Sequence, residues 1–106
     1  MTRPLSQLAG NPQRVTADAV VSAQPGTLWA VMLEGGTDAS SMDFHNHASS
    51  AAGTAIFGVT ASATVATTSG QATTFIDLSA LGGVKFDVGC FVDWTGTAAV
   101  GYVWFA

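Results

Sequence analysis

The fold of this protein is decided by its C-terminal stretch, residues 82–106, which reads GGVKFDVGCFVDWTGTAAVGYVWFA. Two runs rich in β-branched and aromatic residues flank Thr95-Gly96-Thr97, a pattern typical of two strands joined by a turn. Three of the last five residues are aromatic, and no charged side chain follows Asp93. The stretch therefore predicts a closing β-hairpin whose last strand is tied into a sheet and partly covered by another subunit.

Similar short runs, separated by Gly-rich turns, continue through the rest of the chain. They predict strands at Arg14–Ala23, Thr27–Leu33, Ala39–His47, Thr54–Val59 and Thr73–Leu78. Both alternating sets of side chains in Thr27–Leu33 are apolar, so this strand should be central or should meet a neighbour. Residues 60–74 lack the apolar stripe of an amphipathic helix and favour loop and weak strand. The sequence predicts an all-β fold, a single β-sandwich or jelly-roll-like domain of about seven or eight short strands over residues 14–106.

Residues 1–13 have a different character and predict an extended N-terminal arm. Prolines and turn-forming residues dominate this segment, at Pro4, Gly10, Asn11 and Pro12. Leu5 and Leu8 are candidates for contacts in a groove of a partner protein, and a segment that frays in solution is the alternative.

Charge is scarce in this chain, and its sign excludes some partners. Seven acidic and three basic residues give a formal charge of −4, and charged residues make up 9% of the chain. A globular average is about 25%, so the composition favours a protein that sits inside an assembly. No cluster of Lys and Arg is present to release counterions, so nucleic acid is not an expected partner. No run approaches about 18 apolar residues and no basic-then-apolar leader opens the chain, so we expect no membrane partner and no signal peptide.

Cys90 is the only cysteine, which excludes an intrachain disulfide and is compatible with a reducing cytoplasm. It lies in an apolar run between Gly89 and Phe91. A small buried hydrophobe on a strand is the favoured interpretation, and a reactive thiol or an interchain bridge is the alternative.

The one constellation with metal-ligand chemistry is Asp43, His45 and His47. On a strand their alternate spacing would project them from one face, with Met42 and Phe44 on the other. Two imidazoles and a carboxylate could hold Zn²⁺ or Ni²⁺, with Cys90 as a further ligand if the strands are neighbours. A solvated polar face or a subunit contact is the favoured interpretation, and we assign no metal and no cofactor.

Aromatic side chains at Trp29, Phe91, Trp94, Tyr102 and Trp104 could form a platform for sugar, but core and interface anchors are the favoured interpretation. The predicted oligomer or partner interface consists of Leu5, Leu8, Trp29, Trp94, Tyr102, Trp104 and Phe105. No Gly-x-Ser-x-Gly elbow, phosphate-binding glycine loop or nucleophile beside a base is present, so we assign no catalytic residue and predict that the protein is not an enzyme.

Two segments carry a resemblance to a known class of proteins: Gly82-Gly83-Val84-Lys85-Phe86-Asp87-Val88-Gly89 and the Gly96-Thr97 to Phe105 end. Over roughly residues 29–106 the chain resembles small virion structural proteins of tailed bacteriophages. The resemblance implies a capsid decoration (cement) protein that stabilises the head by self-association, with a homotrimer favoured, and by docking on the major capsid protein. It implies production in the host cytoplasm and residence in the virion. A tail, fibre or neck component is the alternative in the same class, and a carbohydrate-binding β-sandwich or a metal-binding structural module is the alternative outside it.

Overall fold

A computed structural model describes residues 12–52, 55–63 and 73–106. Within these ranges the chain forms nine strands and one 3-10 turn at Ser79–Leu81. The strands are β1 (Gln13–Val15), β2 (Ala19–Ser22), β3 (Gly26–Glu34), β4 (Ser40–His45), β5 (Ala55–Ala61), β6 (Thr73–Asp77), β7 (Val84–Phe86), β8 (Cys90–Thr95) and β9 (Val100–Phe105). All of their pairings are antiparallel.

The strands form two sheets, which confirms the predicted all-β, sandwich-like fold. Sheet A has the order β1-β9-β3-β6, and β7 pairs with the first residues of β3. Sheet B has the order β2-β8-β4-β5. Strand β3 lies between β9 on one side and β6 and β7 on the other, so the predicted central position of this strand is confirmed.

Two of the predicted runs are each divided, so the described residues form nine strands. The run Arg14–Ala23 splits into β1 in sheet A and β2 in sheet B, and Asp18 between them accepts a 2.7 Å hydrogen bond from the Trp94 amide. The run at residues 84–95 splits into β7 and β8, which also join different sheets. Sheet A begins at Gln13, one residue before the predicted domain boundary. The predicted arm, with Leu5 and Leu8, lies outside the described residues except at its last two positions.

The predicted closing hairpin was wrong, because β8 belongs to sheet B and β9 to sheet A. The turn that joins them is held against the β3–β4 connection, where the Thr37 amide donates to the Thr97 carbonyl at 2.9 Å. Gly36 permits this approach, since a Cβ there would lie 2.0 Å from the Thr97 oxygen. The turn signal was correct, but the chain uses the turn to cross between the layers.

The prediction that the last strand is tied into a sheet is confirmed. Strand β9 pairs with β1 and β3, and Ala106 exchanges two backbone hydrogen bonds with Thr27, at 2.9 and 3.0 Å.

The core fills the space between the two sheets with alternate side chains from each. Sheet A contributes a set that includes Val15, Val31, Leu33 and Val103, and sheet B a set that includes Met42, Phe44 and Val92. Each of these residues is at most 1% exposed. Met42 and Phe44 share one side of β4, as predicted, and that side faces the core.

Strands β6 and β7 follow one another along the same side of β3, with the 3-10 turn between them. Asp77 closes this turn, because its Oδ1 accepts hydrogen bonds from the Ser79 hydroxyl at 2.6 Å and the Ser79 amide at 2.9 Å. Gly82 and Gly83 then adopt φ values of 83° and 81°, which side chains disfavour. The turn thus returns the chain to β3 and fixes the end of β6.

Candidate functional site

The outer face of sheet A carries the largest group of aromatic side chains that points away from the core. Directly paired residues in a sheet point to the same side. One row of pairs places Arg14, Tyr102, Met32 and Phe75 side by side across β1, β9, β3 and β6. The next row places Trp104, Ala30 and Asp77 side by side across β9, β3 and β6. We call Met32, Phe75, Tyr102 and Trp104 the aromatic face.

Two rings of the aromatic face meet across β3. The centroids of Phe75 and Trp104 are 6.0 Å apart and the ring planes lie at 86°, an edge-to-face contact. Such a pair adds about 0.5–1.5 kcal/mol beyond the area it buries. Ala30 lies between the two strands that carry the rings, and its small side chain, 1% exposed, leaves room for them to meet. Phe75 nevertheless remains 54% exposed, so the described residues leave the face open.

Opposite charges lie at the two margins of the aromatic face. Arg14 is exposed on β1, beside Tyr102. Asp77 is exposed on β6, and hydrogen bonds from the hydroxyl and amide of Ser79 lower the pKa of its carboxyl group below 3.8. Asp77 is therefore negatively charged at neutral pH, and the aromatic face has a basic residue beside it on β1 and an acidic residue beside it on β6.

The outer face of sheet B is different, because acids and hydroxyls dominate its middle. Asp43 on β4 pairs directly with Asp93 on β8, and Ser41 pairs with Thr95 in the adjacent row. Like charges directly opposite each other are unfavourable in a sheet. The two outer faces of the sandwich thus differ in chemistry, and the apolar one is the candidate binding surface.

The structure does not bring the candidate metal ligands Asp43, His45 and His47 together. Strand β4 ends at His45, after an irregularity between Phe44 and His45, so His47 does not share the face of Asp43. His47 instead accepts hydrogen bonds at Nδ1 from the amides of Ser49 and Ser50, both at 3.1 Å. His45 is buried, at 8% exposed. Across residues 12–52, 55–63 and 73–106, no group of three His, Cys, Asp or Glu side chains is placed to hold a metal ion.

Cys90 is the buried, strand-borne hydrophobe that its sequence context predicts. It opens β8 and is 0% exposed. Burial raises the pKa of its thiol from 9.0 to about 12. The reactive thiolate is therefore strongly disfavoured at neutral pH.

The predicted interface aromatics separate into two groups. Tyr102 and Trp104 lie on the aromatic face, as a binding role requires, and Phe105 is 37% exposed at the end of β9. Trp29, at 8% exposed, is buried, and Trp94 points into the sandwich beside Met42, so neither offers a surface for a partner.

Sequence reasoning missed Phe75 and Met32 as members of this face. The signal was present in β6, where Phe75 shares its parity with the polar Thr73 and Asp77 rather than with the inward-facing Ile76. An aromatic residue on the polar side of a strand marks a contact surface only as part of a contiguous patch, as Phe75 is through its contact with Trp104.

No protein-family model, curated protein or solved structure matches this chain. Among the described residues, no helix is long and apolar enough to cross a membrane.

Proposed function

We propose that this protein is a capsid decoration (cement) protein of a tailed bacteriophage, which acts by self-association and by docking on the capsid lattice. The aromatic face is the observation that carries the proposal, because a sandwich that leaves an aromatic sheet face open has a surface suited to another protein. The low charge of the chain, 9% of its residues, supports a place inside an assembly. The role needs no catalytic residue, metal or cofactor.

The proposed mechanism is thermodynamic. Each subunit makes a weak contact with the lattice, and association between subunits raises the effective concentration for the next contact. Such linkage can raise avidity by about 10²–10⁴ without a new type of contact. Protein bound to the assembled lattice then stabilises it by mass action against expansion. Leu5 and Leu8 of the arm are the proposed capsid contacts.

The test is a count of copies in particles. Virions purified from the source of the protein are dissociated, and the chain is quantified by mass spectrometry against the major capsid protein. A decoration protein is expected in numbers comparable with the capsid protein, whereas a tail, fibre or neck component is expected at a small fraction of them. Absence from the particles refutes the virion role.

A second experiment tests the arm. Removal of residues 1–11 keeps the whole of β1, so the sandwich should fold with an unchanged circular dichroism spectrum. Attachment to capsids should weaken, and full-strength attachment would refute a role for Leu5 and Leu8.

Carbohydrate binding is the second candidate function, and the placement of Tyr102, Trp104 and Phe75 on one outer sheet face favours it. Aromatic rings of this kind stack on sugars, and Arg14 and Asp77 at the margins offer hydrogen-bonding groups. Glycan-array binding that disappears in Trp104→Ala, with the fold intact, would support this function. An array without signal would remove it.

A further inference from the structure

Sheet A carries an exposed apolar surface on its outer side. Its central strand β3 presents Val31 and Leu33 to the core and Ala30 and Met32 to the aromatic face, so both of its sides are apolar. Antiparallel sheets commonly leave one face to water and make that face polar, so an apolar outer side marks a surface suited to a contact. The other strongly exposed large apolar side chains that the structure describes lie elsewhere, at Val20, Leu81, Val88 and Phe105. Glu34 follows Met32 on the outer side of β3, so the aromatic face is one continuous apolar patch with charged residues around it.

The charges at the margins of the patch indicate what covers it. Suppose that two copies of the patch face each other about a two-fold axis parallel to the strands. The order of strands is then reversed between the copies, so β1 of one copy lies opposite β6 of the other. Arg14 lies in the register row of Phe75, two residues from Asp77 along β6. Two residues of strand are about 7 Å, within reach of an arginine side chain.

The alternative two-fold axis, perpendicular to the strands, has the opposite electrostatic consequence. It places β1 opposite β1, so that the two Arg14 side chains approach each other, and it separates Arg14 from Asp77. Like charges brought together at an interface are unfavourable. The positions of Arg14 and Asp77 therefore favour the axis parallel to the strands.

We propose that the aromatic face binds the same face of a second copy of this chain about a two-fold axis parallel to the strands, with Arg14 of each copy beside Asp77 of the other. The inference rests on the self-association within the proposed function, and it specifies a symmetric pair in place of the trimer implied by resemblance. A two-fold pair uses the same patch twice, whereas a ring of three requires two different complementary patches. The sheets stack at about 10 Å, as in the two layers of a sandwich.

The size of the patch sets the strength of the pair. Four strands at about 4.8 Å spacing and six residues of strand at about 3.4 Å give a face of roughly 400 Å². Both copies together then bury about 800 Å², which is below the roughly 1,200–2,000 Å² of specific, stable interfaces and in the range of weak, transient ones. The pair is therefore weak and dependent on concentration, and becomes permanent only where an assembly holds the copies near each other.

Sedimentation velocity of the full chain over a wide concentration series tests the apolar contact. The wild type is expected to shift from monomer to dimer as concentration rises. Phe75→Ser should weaken this association by about tenfold or more, because it removes the most exposed aromatic ring of the contact. Val88→Ser is the matched control, since Val88 is 52% exposed against 54% for Phe75 but lies outside the patch, and it should leave the association unchanged.

A charge exchange tests the symmetry. Arg14→Asp gives each copy two acids at the contact and Asp77→Arg gives two bases, so each variant alone should associate about tenfold more weakly. An equal mixture of the two variants should recover association, because both charge contacts of the mixed pair are then opposite in sign. Asp77→Arg also loses the hydrogen bonds that Asp77 accepts from Ser79, so circular dichroism is used to check that this variant folds. If that variant does not fold, the comparison of Phe75→Ser with Val88→Ser still decides the proposal.

Several outcomes would overturn the inference: a wild type that stays monomeric throughout, a Phe75→Ser variant that associates like the wild type, or a limiting mass of three chains. A monomer whose tryptophan fluorescence responds to an oligosaccharide would assign the face to sugar instead. None of these results depends on the copy count in virions, so failure of the pair and failure of the virion role are separate observations.

Discussion

Substitution of Gly36 by alanine tests the crossing of the chain from sheet B to sheet A, which places β9 and its aromatic residues. A Cβ at this position would lie 2.0 Å from the Thr97 carbonyl oxygen and 2.6 Å from the carbonyl carbon of Ala98. Real Cβ atoms do not approach backbone atoms so closely, and both neighbours are backbone rather than flexible side chains. The two connections must therefore separate for the variant to fold.

The size of the effect follows from the contacts that separate. Overpacking of this kind costs about 1–3 kcal/mol. Separation also stretches the 2.9 Å hydrogen bond from the Thr37 amide to the Thr97 carbonyl, which contributes about 1 kcal/mol. Gly36→Ala should thus lower the free energy of unfolding by about 2–4 kcal/mol, a large share of the 5–15 kcal/mol typical of a domain.

Gly82→Ala is the matched control, because Gly82 has φ of 83° but no atom within 4 Å of a new Cβ. It should cost only about 1 kcal/mol, the strain of an alanine in the left-handed region. Urea unfolding followed by tryptophan fluorescence measures both variants. If Gly36→Ala lowers the free energy of unfolding no more than Gly82→Ala does, the close approach of Gly36 to Thr97 is not present in solution.

Three further predictions concern single groups. In the folded protein the pKa of the Cys90 thiol is raised from 9.0 to about 12, so the unfolded chain loses this proton at a lower pH than the folded protein. The free energy of unfolding should therefore fall between pH 9 and pH 12, by up to about 1.4 kcal/mol per pH unit. Unfolding of wild type and Cys90→Ala compared across this range should show the slope in the wild type only. Phe44→Ala should lower the free energy of unfolding by about 3–5 kcal/mol, measured by chemical unfolding, because Phe44 is 0% exposed. Phe75→Ala should lower the free energy of unfolding of the monomer far less. Hydrogen bonds from Ser79 lower the pKa of Asp77, so its carboxylate stabilises the fold above pH 3.8. In an acid titration, the difference in the free energy of unfolding between wild type and Asp77→Asn should shrink as the pH falls through the native pKa.

Local patterns predicted the strands well because alternation and turn residues act over a few positions. The shared side of Met42 and Phe44, the buried Cys90 and the central β3 all follow from the residues beside them. The sheet that each strand joins cannot be predicted from neighbouring residues, because it depends on contacts between distant segments. The approach of Gly36 to Thr97 is such a contact, and it converts a predicted hairpin into a crossing.

The candidate face was predictable only in part, for the same reason. Tyr102 and Trp104 are two residues apart on one strand, so their shared side follows from spacing alone. Trp29 lies at an irregularity in the pairing of β3 with β9, between Leu28 and Ala30, where alternation fails. Phe75 joins Trp104 only through the register of β6 and β9 on either side of β3, which the sequence does not contain.

The contrast between the two outer faces explains why the aromatic face is better understood as a contact surface than as an accident of composition. Sheet B shows that this chain can cover an outer face with polar groups, as at Ser41, Asp43 and Asp93. A monomer gains little from Phe75 at 54% exposure, because a threonine would suit a strand equally well and expose less apolar area. The Phe75 ring becomes buried only when another surface covers it. The charged margins of the same face then restrict which surface fits and how it is oriented.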